Sequence, residues 1–141
     1  MKKVLYTLFL VIISITIVGC SNNKTVEKVS DTVKVFINDK EYKLNLYDNE
    51  TADSLVKLFP LEVNMKTLSE NEVYVYLDDK LPTNSSNPKN ITAGDVMLYG
   101  DDCLVIFYKT FNTSYSYTKI GHIDNLPIIN EDTVTVRIEK E

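Results

Sequence analysis

The chain has one histidine, His122, and one arginine, Arg137, and its two cysteines, Cys20 and Cys103, are far apart. There is no Cys-x-x-Cys and no second imidazole, so a zinc site has too few ligands to form. His122 is expected to be a structural or surface residue, with no metal and no cofactor. No Gly-x-Ser-x-Gly elbow and no glycine-rich phosphate loop occurs, which sets aside serine hydrolysis and nucleotide chemistry. Internal repeats and low-complexity blocks are also missing. The inventory of groups that change protonation or stabilise charge is therefore thin, and no catalytic residue can be assigned.

What the chain does have begins at its N-terminus. Met1-Lys2-Lys3 is a small basic start, Val4 to Val18 is an almost wholly apolar run of 15 residues, and Ile17-Val18-Gly19-Cys20 follows. A short apolar run of this kind after lysines marks a secretory signal and is too short for a spanning helix. The Ile-Val-Gly-Cys sequence resembles the lipobox of bacterial lipoproteins, which implies cleavage before Cys20 and a diacylglycerol on its thiol. Two acyl chains satisfy the requirement for stable anchoring that one chain does not meet. The expected order is a signal peptide over 1–19, a lipidated tether over 20–31 and a domain over 32–141. The expected address is the extracytoplasmic side of the cell membrane.

Without Lys2 and Lys3, 13 of the 15 basic residues remain against 20 acidic ones, a formal charge of −7. Such a surface repels phosphates and anionic lipid, so nucleic acid is not an expected partner and attachment to the membrane falls to the lipid. An acylated Cys20 leaves Cys103 without a disulfide partner, and Cys103 is read as a small core residue. Residues 20–141 suffice for one domain with a real core.

Periodicity of two dominates the folded part. Val33, Val35 and Ile37 alternate with polar residues, and after Asn38-Asp39 so do Tyr42, Leu44 and Leu46, which predicts a hairpin. Asn49 or Thr51 is placed to cap a short helix running to Phe59, with Leu55, Val56, Leu58 and Phe59 apolar, and Pro60 ends it. So short a helix cannot persist alone and is expected to plug an open end of the sheet. Leu61, Val63 and Met65 mark another strand, and Val73, Val75 and Leu77 alternate with Tyr74 and Tyr76, two tyrosines on one face. Leu81 to Thr92 reads as an ordered loop.

The organising stretch runs from Ala93 to Ile123. Val96 to Gly100, the turn Gly100-Asp101-Asp102 and the apolar run Cys103 to Tyr108 predict a hairpin whose second strand is buried on both faces. Lys109 to Thr118 is too hydroxyl-rich for core and too aromatic for an idle linker, and is expected to lie across the mouth of what the strands enclose. Thr118 to Ile123 and Thr133 to Ile138 add two strands, the latter closing on the first. Seven or eight short strands with one helix suggest a mainly β, closed β-barrel.

Leu81-Pro82, Asn87-Pro88, Ala93-Gly94-Asp95, Leu98-Tyr99-Gly100, Leu104 to Tyr108, Phe111, Thr113 to Thr118 and Gly121 together resemble the bacterial cyclophilin-like fold family. The resemblance covers roughly Val33 to Ile138. It implies the barrel of the peptidyl-prolyl isomerases without a settled activity. After Ile123 the chain departs from relatives that carry a longer helical segment, since Asp124 to Asp132 is short and holds Pro127, leaving its role open. Isomerases of this barrel use an arginine early in the chain, whereas Arg137 stands in the final predicted strand. Weak isomerisation is therefore the alternative to ligand binding.

Tyr99, Tyr108, Phe111, Thr113, Tyr115 and Tyr117 form the expected binding set for a peptide segment or small ligand. Tyrosine supplies contact area with a polar tip at modest entropic cost. The same tyrosines also fit a ladder of packing across strands. Alternation in Ser114-Tyr115-Ser116-Tyr117 suggests a strand edge with both rings on one side.

Overall fold

Alternating burial builds the first hairpin in a computed structural model that describes residues 26–141. The expected signal segment 1–19 and Cys20 lie outside the described residues. Strand β1 (Val29–Ile37) buries Val33, Val35 and Ile37, and β2 (Lys40–Tyr47) buries Leu44 and Leu46. Between them Asn38 and Asp39 take φ of 47° and 68°, a left-handed turn that Asn and Asp tolerate better than other side chains. β1 begins three residues before the expected Thr32. Ion pairs Lys28–Asp48 (3.2 Å) and Glu27–Lys119 (3.1 Å) hold the residues just ahead of it against the domain.

Helix α1 (Glu50–Val56) is capped by Asn49, whose Oδ1 accepts from the Ala52 amide at 2.9 Å. The other candidate cap, Thr51, donates its hydroxyl to the Pro82 carbonyl at 2.7 Å. The helix stops short of Phe59 because Leu58 and Phe59 donate to Leu55 and Val56, tightening the chain three residues back before Pro60. Ala52 and Leu55 are buried, and the helix packs on strand β9 (Thr118–Ile123).

The remaining strands are β3 (Leu61–Leu68), β4 (Glu72–Tyr76), β5 (Asn90–Ile91), β6 (Asp95–Tyr99), β7 (Cys103–Phe107), β8 (Phe111–Asn112) and β10 (Thr133–Glu139). Eight of the ten described strands close a barrel in the order β1-β10-β3-β4-β7-β6-β9-β2, and the neighbours are antiparallel throughout. β10 closes on β1 with Val35 opposite Ile138 and Ile37 opposite Val136, as the alternation predicts. Gly121 is required where β9 meets β2, because a Cβ there would collide with the Asn45 carbonyl. Segment 124–132 is held to β3: Thr67 donates its hydroxyl to the Glu131 carbonyl (2.7 Å) and its amide to Asp132 (2.9 Å), and Ile129 is buried.

Two expectations need correction. The stretch Leu81–Thr92 contains β5, which pairs with β8 as a separate two-stranded sheet. That sheet, with the loop after it, does not cover the mouth of the barrel; it packs on the outer face of β6 and β7. The core shows this directly. Leu104, Ile106 and Tyr108 belong to the barrel interior, while Cys103, Val105 and Phe107 join Met97, Ile91 and Tyr117 in a second apolar cluster with Phe111 and Tyr74 against it. The run 103–108 is apolar on both faces because each face meets a different core.

Candidate ligand-binding cleft

Register places the site. On the outer face of three adjacent strands, Tyr76 of β4, Cys103 of β7 and Tyr99 of β6 form one row, and Tyr74, Val105 and Met97 form the next. Glu72 stands opposite Phe107 in the row beyond. Two small side chains, Cys103 and Val105, thus run between larger ones. A trough follows from that alternation of size, because residues directly opposite on a sheet stand about 5 Å apart.

The β8 loop raises the second wall. Phe111 and Tyr117 pack their rings 5.7 Å and 5.4 Å from Phe107, and Tyr99 meets Tyr117 at 5.7 Å and Tyr115 edge-on at 6.2 Å. On the opposite wall Tyr74 and Tyr76 meet edge-on at 6.0 Å. The resulting cleft of about 520 Å³ is closed at one end by the β3–β4 turn, through Leu68, Ser69 and Asn71. Tyr76, Tyr99 and Tyr115 are 66%, 44% and 62% exposed and form the rim, whereas Tyr117 at 7% forms the base.

The loop is held in place by hydrogen bonds. Ser86 and Tyr117 exchange both backbone bonds at 2.9–3.0 Å, Thr113 donates its amide to the Lys89 carbonyl, and the Asn87 side chain donates to the Ser114 carbonyl. The hydroxyls of Thr110, Thr113 and Thr118 accept from the amides of Ala93, Tyr115 and Asn84 at 3.0–3.1 Å. The hydroxyl-rich composition therefore serves loop order at these three positions. Ser114 to Tyr117 does not form the expected strand edge: Tyr117 makes only an isolated bridge to Ser86, and Tyr115 swings out. Both rings nevertheless converge on Tyr99.

Burial pushes the half-buried Glu72 carboxyl above its usual range. Burial also raises the Cys103 thiol to about 11, with the charges of Asp102 and Glu72 adding to it, so Cys103 stays a protonated floor residue at neutral pH. Tyr117 is raised first by burial and then by the Glu72 charge. Among the described residues no lysine, arginine or histidine lines the cleft.

Of the sequence-predicted set, Tyr99, Phe111, Thr113, Tyr115 and Tyr117 line this cleft and Tyr108 does not. Tyr108 is 3% exposed and points into the barrel interior, since it continues the Leu104–Ile106 side of its strand. Glu72, Tyr74 and Tyr76 are lining residues that the sequence reading did not assign to the site. The shared face of Tyr74 and Tyr76 was the available signal, but it becomes a site only when β4 is known to neighbour β7.

The other candidates lie elsewhere. His122 Nδ1 is 3.0 Å from Asp95 Oδ1, and Asp95 Oδ2 accepts the Thr92 amide at 2.8 Å. Gly94, at φ 100°, lies against that imidazole and the Ile123 carbonyl, where a Cβ has no room. Among the described residues no group of three or more His, Cys, Asp or Glu side chains is placed to hold a metal ion. Arg137 stacks over Phe36 of β1 at 4.4 Å, outside the residues that line the cleft.

Comparison with known proteins agrees with this architecture. The model of the cyclophilin-like family matches residues 35–139, and the chain belongs to that family. A solution structure of a hypothetical protein from Archaeoglobus fulgidus aligns with a TM-score of 0.55 at 17% identity, covering 83% of this chain and 99% of that one. At that identity the likeness concerns the fold. No curated protein matches the chain.

Proposed function

For this cyclophilin-like domain we propose a binding role: it holds a peptide segment or small ligand in the aromatic cleft, from the extracytoplasmic side of a membrane to which Cys20 ties it by lipid. The observation that carries the proposal is the convergence of Tyr99, Tyr115 and Tyr117 with Tyr74 and Tyr76 around a single cleft of about 520 Å³. Rigid aromatic rings around a small floor give a ligand large contact area without ordering long side chains. The anchor rests on the sequence Ile17-Val18-Gly19-Cys20 after its apolar run.

Two measurements test the parts separately. Titration of the protein with a fragment and peptide library should shift backbone amide resonances of residues 72–76, 99–105 and 111–117, and Tyr99→Ala should weaken any ligand so found by about 1 to 4 kcal/mol. Shifts confined to other surfaces would reject the cleft. Mass spectrometry of the mature N-terminus should show a diacylated Cys20, and an unmodified Met1 would reject the anchor.

A further inference from the structure

The charges around the cleft narrow what it takes. Among the described residues Glu72 is the one carboxylate that lines the cleft, and no basic side chain lines it. Among the described residues it has no ion-pair partner. The tyrosines add to this field, because the face of an aromatic ring is its negative pole. An anionic ligand would meet Glu72 with nothing to offset the repulsion. A neutral one would take water from the carboxylate and return no counter-charge. A cation gains from both the rings and the carboxylate, and aromatic rings attract ammonium groups within about 6 Å of their centroids.

We propose that the cleft receives an alkylammonium group, seated among Tyr74, Tyr76, Tyr99 and Tyr117 with Glu72 as its counter-charge. The proposal rests on the binding role above and specifies its ligand class. Burial already pushes the Glu72 carboxyl up with no neighbouring cation to bring it down, so the folded domain carries a desolvated acid that an incoming cation would relieve. The overall charge of −5 favours the approach of cations. The ammonium can belong to a free amine or to a lysine side chain of a peptide; the chemistry at the cleft is the same.

The test uses the full chain in detergent with choline and its neutral isostere 3,3-dimethylbutan-1-ol, followed by calorimetry and amide shifts. Choline should bind at least about tenfold tighter than the isostere, with shifts at Glu72, Tyr74 and Tyr99. Glu72→Gln should remove about tenfold of the choline affinity, bind the isostere no more weakly than the parent does, and leave the melting temperature no lower than that of the parent. A second arm compares Nα-acetyl-lysine amide with the norleucine analogue: tighter lysine binding supports a peptide source, and choline binding without it supports a free cation. Equal affinity of choline and isostere would overturn the cation assignment while leaving the binding role intact. Binding of neutral peptides alone in the cleft would do the same, and failure of every library member to reach the cleft would overturn both.

Discussion

The two faces of β7 differ in what covers them. Its inner face, Leu104 and Ile106, is aliphatic and enclosed on all sides by the other seven barrel strands and α1. Its outer face is covered unevenly: Phe107 lies under the β5–β8 sheet, whereas Cys103 and Val105, buried between the flanking side chains, line the base of the cleft. The same strand therefore supplies closed packing at one end of its outer face and the base of the candidate cleft at the other. Side-chain size separates the two. Where β7 offers a phenylalanine the flap settles on it, and where it offers a cysteine and a valine the flanking rings stand apart and leave a cleft between them.

This comparison can be broken at several points. Phe107→Ala should cost about 3 to 5 kcal/mol and Ile106→Ala about 2 to 5 kcal/mol in denaturant unfolding, because both are fully buried. A Phe107→Ala loss well under the loss at Ile106 would show that the outer cluster is a covering and no core of its own. Phe111→Ala should give an intermediate loss, since its ring lies on Phe107 yet is partly exposed. Tyr115→Ala, on the rim, should change stability by no more than about 0.5 kcal/mol while weakening a cleft ligand. A large loss at Tyr115 would place it with the packing residues.

The smallest effect sharpens the contrast through pH. Burial raises the Glu72 carboxyl in the folded state, so the fold favours its protonated form. The associated stability is fully present below the ordinary carboxyl range and is lost as pH rises through the raised value. Glu72→Gln should therefore melt slightly higher than the parent at neutral pH and together with it in acid. A parent that is more stable than the variant at neutral pH would mean that an unrecognised partner holds the carboxylate.

Much of the scaffold was legible from alternation alone. Val33-Val35-Ile37 and Val134-Val136-Ile138 identified the strands that close the barrel, and Asn38-Asp39 identified the turn. The site was legible in pieces. Tyr99 and the Phe111–Tyr117 segment stood out by composition, but Tyr108 was grouped with them because composition carries no information about which side of a strand a ring takes. Counting from Leu104 would have sent it inward. Glu72, Tyr74 and Tyr76 were out of reach for a different reason: β4 meets β7 only through a pairing some 30 residues apart in sequence. Local periodicity cannot supply that neighbour.

Closure through β1 and β10 also governs when the domain can exist. Lys34 pairs with Glu139, so the ring is sealed by residues separated by most of the domain, and the loop-closure entropy of that step must be met before its contacts form. A chain emerging in N-to-C order holds β1 unpaired on one side until β10 arrives. If β10 is removed, the result is no shorter barrel but an open sheet with the edges of β1 and β3 bare, surfaces that readily recruit another chain.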